Sequence, residues 1–375
     1  MAVLTGAQAW HAKGFAELRG MTVGLVANHT ARVDDNLTTL EALRATPDVR
    51  VSMLFGPEHG AFGNFDDEVP NSVDPASGLP IRSLYGESRK PSDNDLAGLD
   101  ALVFEIQDIG ARFYTYASTL GLCLEGCANR GLPLIVLDRP NPITGSRCEG
   151  PTADPDRLSF TAHHTIPIRH GLTLGELARL YAIDNGWERW VKVAECVGLT
   201  RGAWFDQTGV AWIRPSPAMP TLNAAILYPG VCLLEKTNMS VGRGTEAPFE
   251  TVGAPYIDSR RWIEALNRLA IPGVAFEPAA FTPTLREFAG NRCHGIRLIV
   301  TDRESLDSVR LGIALLVSLR DLYPVVYDLS GALDLLANAR AYESLAAGGT
   351  VDDVCATWTE SLKDWHLRRQ PALLY

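Results

Sequence analysis

Four short polar clusters stand out by residue type and spacing: Asn28-His29, Glu58-His59, Gln107-Asp108 and Asp138-Arg139 with Asn141. Each follows an apolar run of strand length, and together they hold carboxyls, imidazoles, amides and a guanidinium. The densest stretch is Val103-Phe104-Glu105-Ile106-Gln107-Asp108-Ile109-Gly110-Ala111-Arg112-Phe113-Tyr114-Thr115-Tyr116. Paired carboxyls suit general acid/base work, and glycoside hydrolysis commonly uses two of them. Glu58, in a turn between a strand and a glycine, fits a shielded acid with a raised pKa. Glu105 and Asp108 are candidates for the second carboxylate. His59 fits a base, a metal ligand or an orienter of Glu58. Arg112 and Arg243 suit bidentate capture of a substrate carboxylate. Tyr114 and Tyr116 suit stacking on a sugar ring or capping a pocket. Each has a structural alternative: a helix N-terminus for Glu58, salt bridges from Glu105 or Asp108 to Arg112 or Arg139, and core packing for the tyrosines.

The elements that must position these groups alternate. Met21–Ala27, Val49–Phe55, Leu99–Ile106 and Pro133–Leu137 read as buried strands. A helix after Asn36 carries Leu37, Leu40 and Leu43 on one face, and another runs from about Tyr114 to Asn129, with Gly131 as its C-cap. Thr173 and Glu176 form a capping box opening a helix to Asn185, and Trp187–Ala194 reads as a further strand. The alternation predicts a Rossmann-like doubly wound parallel sheet, in which ligands bind beyond the carboxyl ends of the strands. All four polar clusters lie at such ends. Residues 61–80 read as a long loop forming a rim or lid, and 200–220 as irregular. We place a catalytic domain over residues 1–229. A smaller α/β auxiliary domain over 230–375 closes the cleft with the polar loop Glu235–Glu246. Helices are expected over 258–269 and 305–322, with a strand near 296–301 and Thr350 as a helix cap.

Composition excludes several classes. A net charge of −10 and the lack of clustered Lys and Arg argue against a nucleic-acid partner. No run of about 18 apolar residues offers a membrane span, and the first twenty residues do not form a signal peptide. Seven cysteines without short paired spacings suit reduced thiols, so a cytoplasmic protein is expected. The dinucleotide and nucleoside-triphosphate glycine loops, H-E-x-x-H and G-x-S-x-G are all absent, so no cofactor and no metal are expected.

The chain also resembles a known family. Gly56-Pro57-Glu58-His59-Gly60, Glu105 through Tyr116, Leu137-Asp138-Arg139-Pro140-Asn141-Pro142, Pro215 through Asn223, Asn238-Met239-Ser240-Val241-Gly242-Arg243-Gly244-Thr245 and the closing Leu373-Leu374-Tyr375 are similar to motifs of the bacterial exo-β-N-acetylmuramidases. That family was formerly a domain of unknown function, DUF1343. The resemblance covers Gly24 to Tyr375. It implies release of terminal N-acetylmuramic acid from the non-reducing end of peptidoglycan fragments, by a Rossmann-like domain with an auxiliary domain and a cleft between them. It puts the family's leading catalytic glutamate at Glu58. Two departures stand: Gly60-Ala61-Phe62-Gly63 lacks the family's arginine, a loss that the resemblance ties to recognition of the lactyl carboxylate or a neighbouring group, and Glu105 replaces the usual aspartate.

The expected partner is therefore a peptidoglycan-derived MurNAc-GlcNAc or muropeptide, met during cell-wall recycling. Glu58 is the expected acid. The expected second group is Glu105, Asp108 or the substrate's own acetamido oxygen. Arg112, Arg139 or Arg243 would hold the lactyl group, and Asn28, His29, Gln107, Asn141 and Asn238 would bond hydroxyls and the acetamide. Asp138, Asn223 and Glu246 complete the expected substrate-binding set. Two other readings stay open: a muropeptide-binding protein without turnover, and a metal-dependent cell-wall amidase or deacetylase using His29, His59 and Asp108.

Overall fold

The computed structural model describes residues 2–63 and 69–375. Its centre is a seven-stranded sheet built from β1 (Thr22–Ala27), β2 (Arg50–Gly56), β3 (Ser72–Val73), β4 (Pro80–Ser83), β5 (Ala101–Glu105), β6 (Leu134–Leu137) and β9 (Val191–Ala194). The strand order is β3-β4-β2-β1-β5-β6-β9, parallel throughout except for β3 against β4. From β1 the chain winds to one side through β2 and β4, then returns and winds to the other through β5, β6 and β9. This is the expected Rossmann-like doubly wound sheet, and its switch point lies between β1 and β5.

Side-chain alternation along β5 explains why both faces are covered. Leu102 and Phe104 join one core with the helices Tyr116–Arg130 and Leu174–Asn185. Ala101 and Val103 point the other way, into a second core with Leu25, Leu54, Phe15 and Leu43. Local signals set several ends. Gly131, at φ 67°, terminates the helix before it. Thr173 caps Leu174–Asn185 through the predicted box with Glu176. The second helix begins later than expected: Thr38, not Asn36, caps Thr39–Ala45, because its hydroxyl and the Glu41 carboxylate satisfy each other's backbone N–H. The expected loop at 61–80 contains β3 and reaches β4; the part at 64–68 lies outside the described residues.

The sequence reading missed the hairpin of β7 (Glu149–Thr152) and β8 (Pro167–Arg169), and β10 (Thr251–Ala254) and β11 (Val274–Phe281). With β12 (Cys293–Val300) the last two form an antiparallel sheet of order β10-β12-β11. The expected border at 229/230 falls inside the helix Leu222–Val231, which keeps Pro229 within it. That helix packs on Ser308–Leu322 at a glycine crossing: a Cβ on Gly230 would meet the Ser308 carbonyl oxygen at 1.8 Å, and one on Gly312 the Gly230 oxygen at 2.4 Å. One apolar core therefore continues from the large sheet into the smaller one. The chain end returns to the large sheet, where the Tyr375 hydroxyl donates to Asp138 (2.8 Å) and Arg201 donates to the Tyr375 carbonyl oxygen (3.0 Å).

Candidate active site

β2 ends at Gly56 and the chain turns sharply through Pro57-Glu58-His59-Gly60. The Gly60 N–H donates to the Pro57 carbonyl (2.8 Å), and both His59 (φ 68°) and Gly60 (φ 75°) are left-handed. A left-handed backbone at a non-glycine residue costs about 1–2 kcal/mol, so the packing around this turn has to hold it. The turn projects Glu58 over the carboxyl edge of the sheet. There the Thr115 hydroxyl donates to a Glu58 oxygen instead of capping its own helix. The Tyr85 phenol lies beside Glu58 and is pushed up to about 12, by burial first and by the Glu58 charge second.

These three residues line a cavity of about 640 Å³. One wall is aromatic: Phe113, Tyr114, Tyr228 and Phe249 meet edge-on or tilted, with the Tyr228 and Phe249 centroids 4.6 Å apart. The other wall is Tyr85 and Phe160, with the Arg89 guanidinium 4.1 Å over the Phe160 ring. The 640 Å³ accommodates a sugar ring, and both walls offer the apolar faces that pyranose C–H groups pack against.

Of the residues expected at the site, Glu58, His59, Tyr114 and Arg243 line this cavity. The Tyr114 hydroxyl lies beside Ser216, and burial pushes its pKa far above the usual phenol range. Arg243 is ion-paired to Glu235 through both its Nε and Nη2.

Most of the others form a hydrogen-bonded layer beneath the cavity. Arg139 donates to Glu105 (2.7 Å) and Gln107 (3.1 Å), and Gln107 donates to the Pro140 carbonyl (3.0 Å) and takes its own N–H to Thr30 (3.0 Å). Thr30 donates to Asn28 (2.6 Å), Asn28 to the Tyr116 hydroxyl (3.0 Å), and Tyr116 to the Pro215 carbonyl (2.7 Å). His29 bonds the neighbouring Arg214 carbonyl (2.7 Å), and burial lowers its pKa. The chain of bonds thus ends on the backbone beside Ser216, which does line the cavity. Glu105 is fully buried, which pushes its pKa up while Arg139 pulls it down.

Asp108 sits off the cavity in an Asx turn, accepting from the Gly110 N–H (2.7 Å). Burial pushes it up to about 7. His170 Nε2 is 3.8 Å away, but burial holds His170 down at about 3, so the two do not form an ion pair at neutral pH. Gly110 (φ 85°) is required there, because a Cβ would meet Asn141 Oδ1 at 2.4 Å. Asn141 itself bonds Leu172 and Ile143. Asp138 accepts from Thr173, Gly175 and Tyr375, and burial pushes it up to about 6.

Arg112, expected to capture a carboxylate, instead donates to four backbone carbonyls: Pro151, Ile166, Leu335 and Leu336, at 2.7–3.0 Å. Its burial pushes it down to about 9. Arg112 therefore ties the β7–β8 hairpin to the segment that supplies Leu335 and Ala337 to the cavity. Asn238 is bonded to Val326 and Asp328, and Asn223 and Glu246 are exposed outside the cavity. Among the described residues no three His, Cys, Asp or Glu side chains are placed to share a metal ion, so His29, His59 and Asp108 do not converge.

Sequence reasoning missed Tyr85, Arg89, Arg157, Phe160, Ser216 and Lys236. Ser216 and Lys236 sat in stretches already singled out. Arg157 and Phe160 come from an irregular loop with no periodic signal.

Comparisons with known proteins bear on the family and the fold. A family model described as exo-β-N-acetylmuramidase NamZ, N-terminal, matches residues 23–223, and its C-terminal counterpart matches 226–375. A peptidoglycan β-N-acetylmuramidase NamZ of Bacillus subtilis is 39% identical over 365 residues, covering 96% of this chain and 88% of that protein. Two crystal structures of DUF1343 family proteins from Bacteroides fragilis cover 100% of this chain and 99% of their own, with TM-scores of 0.92 and 0.80 at 30% and 28% identity. The chain belongs to the exo-β-N-acetylmuramidase NamZ family.

Proposed function

We propose that Glu58 is the proton donor of a β-N-acetylmuramidase that releases terminal N-acetylmuramic acid from the non-reducing end of MurNAc-GlcNAc or a muropeptide. The observation that carries this is the Glu58 carboxyl in the aromatic-walled cavity, oriented by the Thr115 hydroxyl and lined by Tyr85. Residues 1–229 bring the acid, while 230–375 contribute the walls around Arg243 and Leu335 that close the cleft.

The partner of Glu58 follows from what surrounds it. Glu105 is buried beneath the cavity and Asp108 lies off it. Among the described cavity carboxylates, Glu235 is neutralised by Arg243, and Asp156 and Asp334 are exposed. The substrate's own 2-acetamido oxygen is then the nucleophile. Glu58 gives its proton to the glycosidic oxygen as the C1–O bond breaks, and the acetamido oxygen bonds C1. Water, losing a proton to Glu58, then opens the resulting ring. No helix among the described residues is long and apolar enough to cross a membrane.

Turnover of two substrates by Glu58→Gln tests the acid. A disaccharide, with its basic leaving group, should lose far more rate than 4-nitrophenyl β-N-acetylmuramide, whose leaving group needs little protonation. Equal and small losses on both would remove Glu58 from this role. Successive fluorination of the substrate's N-acetyl methyl should lower kcat/KM at each step if the acetamido oxygen attacks; a flat response would return a protein carboxylate to that place. Turnover should be unchanged by chelators.

A further inference from the structure

The substrate of the proposed reaction carries a lactyl carboxylate, and the arginines expected to bind it are all engaged elsewhere. Arg112 holds four carbonyls, Arg139 is paired with Glu105, Arg243 with Glu235, and Arg286 is also partnered. The turn after Glu58-His59 supplies no arginine of its own: Gly60-Ala61-Phe62-Gly63 follows, with Phe62 48% exposed. An anionic substrate group still needs a cation, because burying an uncompensated carboxylate is expensive.

We propose that Arg157 is the residue that reads the lactyl carboxylate. It lines the cavity with Glu58, yet among the described residues its side chain has no ion pair or hydrogen bond, and its Nε is buried without a partner there. A planar guanidinium held this way is poised for a carboxylate arriving from the cavity side. The acids near it on the lining, Asp156 and Asp334, are exposed and make no salt bridge with it. Arg89 is occupied against the Phe160 ring, and Lys236, also without an acid partner among the described residues, is exposed on the lining and adds to the positive field.

The fold presents Arg157 firmly. It closes the turn Pro155–Arg157, with its N–H donating to the Asp154 carbonyl (3.0 Å). The Asp154 carboxylate accepts from Asn338 (2.9 Å) and the Ala339 N–H (2.7 Å), and the Asp154 N–H donates to the Ala337 carbonyl (2.8 Å). The turn is thus clipped to the segment that supplies Leu335 and Ala337 to the same cavity. Reading of the lactyl group then depends on contact between the middle and last thirds of the chain.

The proposal rests on the muramidase reading, and the test separates the two. Wild type, Arg157→Gln and Arg157→Lys are assayed on 4-nitrophenyl β-N-acetylmuramide and on its lactyl methyl ester, which keeps the shape and loses the charge. Arg157→Gln should lose roughly 10- to 100-fold in kcat/KM on the acid, the range for a hydrogen-bonded charge, so that the acid-to-ester preference collapses. Arg157→Lys should recover part of it. Equal losses on acid and ester would show a merely structural role, and an unchanged preference would assign the carboxylate to another cation; either overturns the proposal. If wild type turns over neither compound, the hydrolase reading fails. Calorimetry with N-acetylmuramic acid then decides Arg157 alone: tighter binding to wild type than to Arg157→Gln supports it, and equal binding or none overturns it.

Discussion

The layer at the strand ends and the cavity above it contain similar residue types and differ in how those residues are partnered. In the lower layer Glu105, Arg139, Gln107, Asn28 and Tyr116 hydrogen-bond one another in series, ending at the Pro215 carbonyl. In the cavity, Arg157 and Lys236 make no such bonds among the described residues, and Glu58 accepts from the Thr115 hydroxyl. Buried polar groups in a folded chain need partners. Among the described residues, the lower layer finds most of them within the chain, leaving over Glu105 Oε2 and His29 Nδ1, away from the cavity lining. The orphan Nε of Arg157 instead belongs to a lining residue, where a ligand can supply what is missing. The lower layer's contribution is precision: it fixes the backbone at Arg214–Ser216 and the turn that carries Thr115 to Glu58.

The sharpest way to break this comparison is to make the same change in both layers. Glu58→Gln should lower disaccharide turnover by about 10²- to 10⁴-fold, the worth of a general acid, without lowering the melting temperature. Glu105→Gln should do the reverse: it strands the Arg139 charge in the interior, at about 3–5 kcal/mol of stability, while the protein that remains folded keeps its turnover. Denaturant unfolding and steady-state kinetics on both variants decide it. Turnover lost in Glu105→Gln at temperatures where it is fully folded would move that carboxylate into the chemistry.

Much of this was legible in the sequence. The doubly wound sheet could be read because β1, β5 and β6 are unbroken apolar runs, and the Glu58 turn because strand, glutamate and glycine follow in series. What could not be read was which polar residue partners which. Arg112 and Arg157 are both single arginines in polar stretches. Only the β7–β8 hairpin and the return of residues 335–339 to it decide that one bonds four carbonyls and the other faces the cavity. The hairpin itself was hidden because Glu149–Thr152 contains a glycine and a proline and has no apolar alternation. The auxiliary sheet was missed for a related reason: β11 is mostly exposed or half-buried and carries Pro278.

Arg112 offers the next largest effect. Arg112→Met removes the donors to four buried carbonyls, and a loss of about 3–5 kcal/mol, as for removing one partner of a buried charged contact, is expected. Two of those carbonyls belong to Leu335 and Leu336, so KM should rise with little change in kcat. A variant as stable as wild type, with a raised KM only for the charged substrate, would return Arg112 to substrate binding.

Asp108 gives a smaller, pH-dependent signature. Its pKa rises from 3.8 unfolded to about 7 folded, because burial disfavours the anion. Between those values the folded protein holds a proton that the unfolded chain has released, so this group's contribution falls as pH rises through that window and is constant above it. At about 1.4 kcal/mol per unit, the cost at pH 8 is roughly 4 kcal/mol at most. Asp108→Asn, which keeps an oxygen for the Gly110 N–H, should therefore gain on wild type at pH 8 relative to pH 4. A wild-type-minus-variant stability difference that is flat across that range would mean Asp108 is ionised throughout.

The smallest effect belongs to residues whose motif membership alone suggested a role. Asn223 lies at the exposed start of the helix Leu222–Val231, and Glu246 lies in the loop after Arg243, both away from the cavity lining. Neither side chain forms a hydrogen bond or ion pair among the described residues, so surface substitutions there should stay within about 0.5 kcal/mol of stability. Asn223→Ala and Glu246→Gln should also leave kcat/KM on the muramide within twofold of wild type. Residues of the same motifs diverge because a motif constrains a stretch of backbone, and only some of its side chains face the ligand. In Asn238–Thr245 the backbone places Arg243 at the cavity while Asn238 holds the Val326–Asp328 turn. A tenfold loss in Glu246→Gln with unchanged stability would show that substrate reaches past the cavity along this loop, and that the site is larger than the space around Glu58.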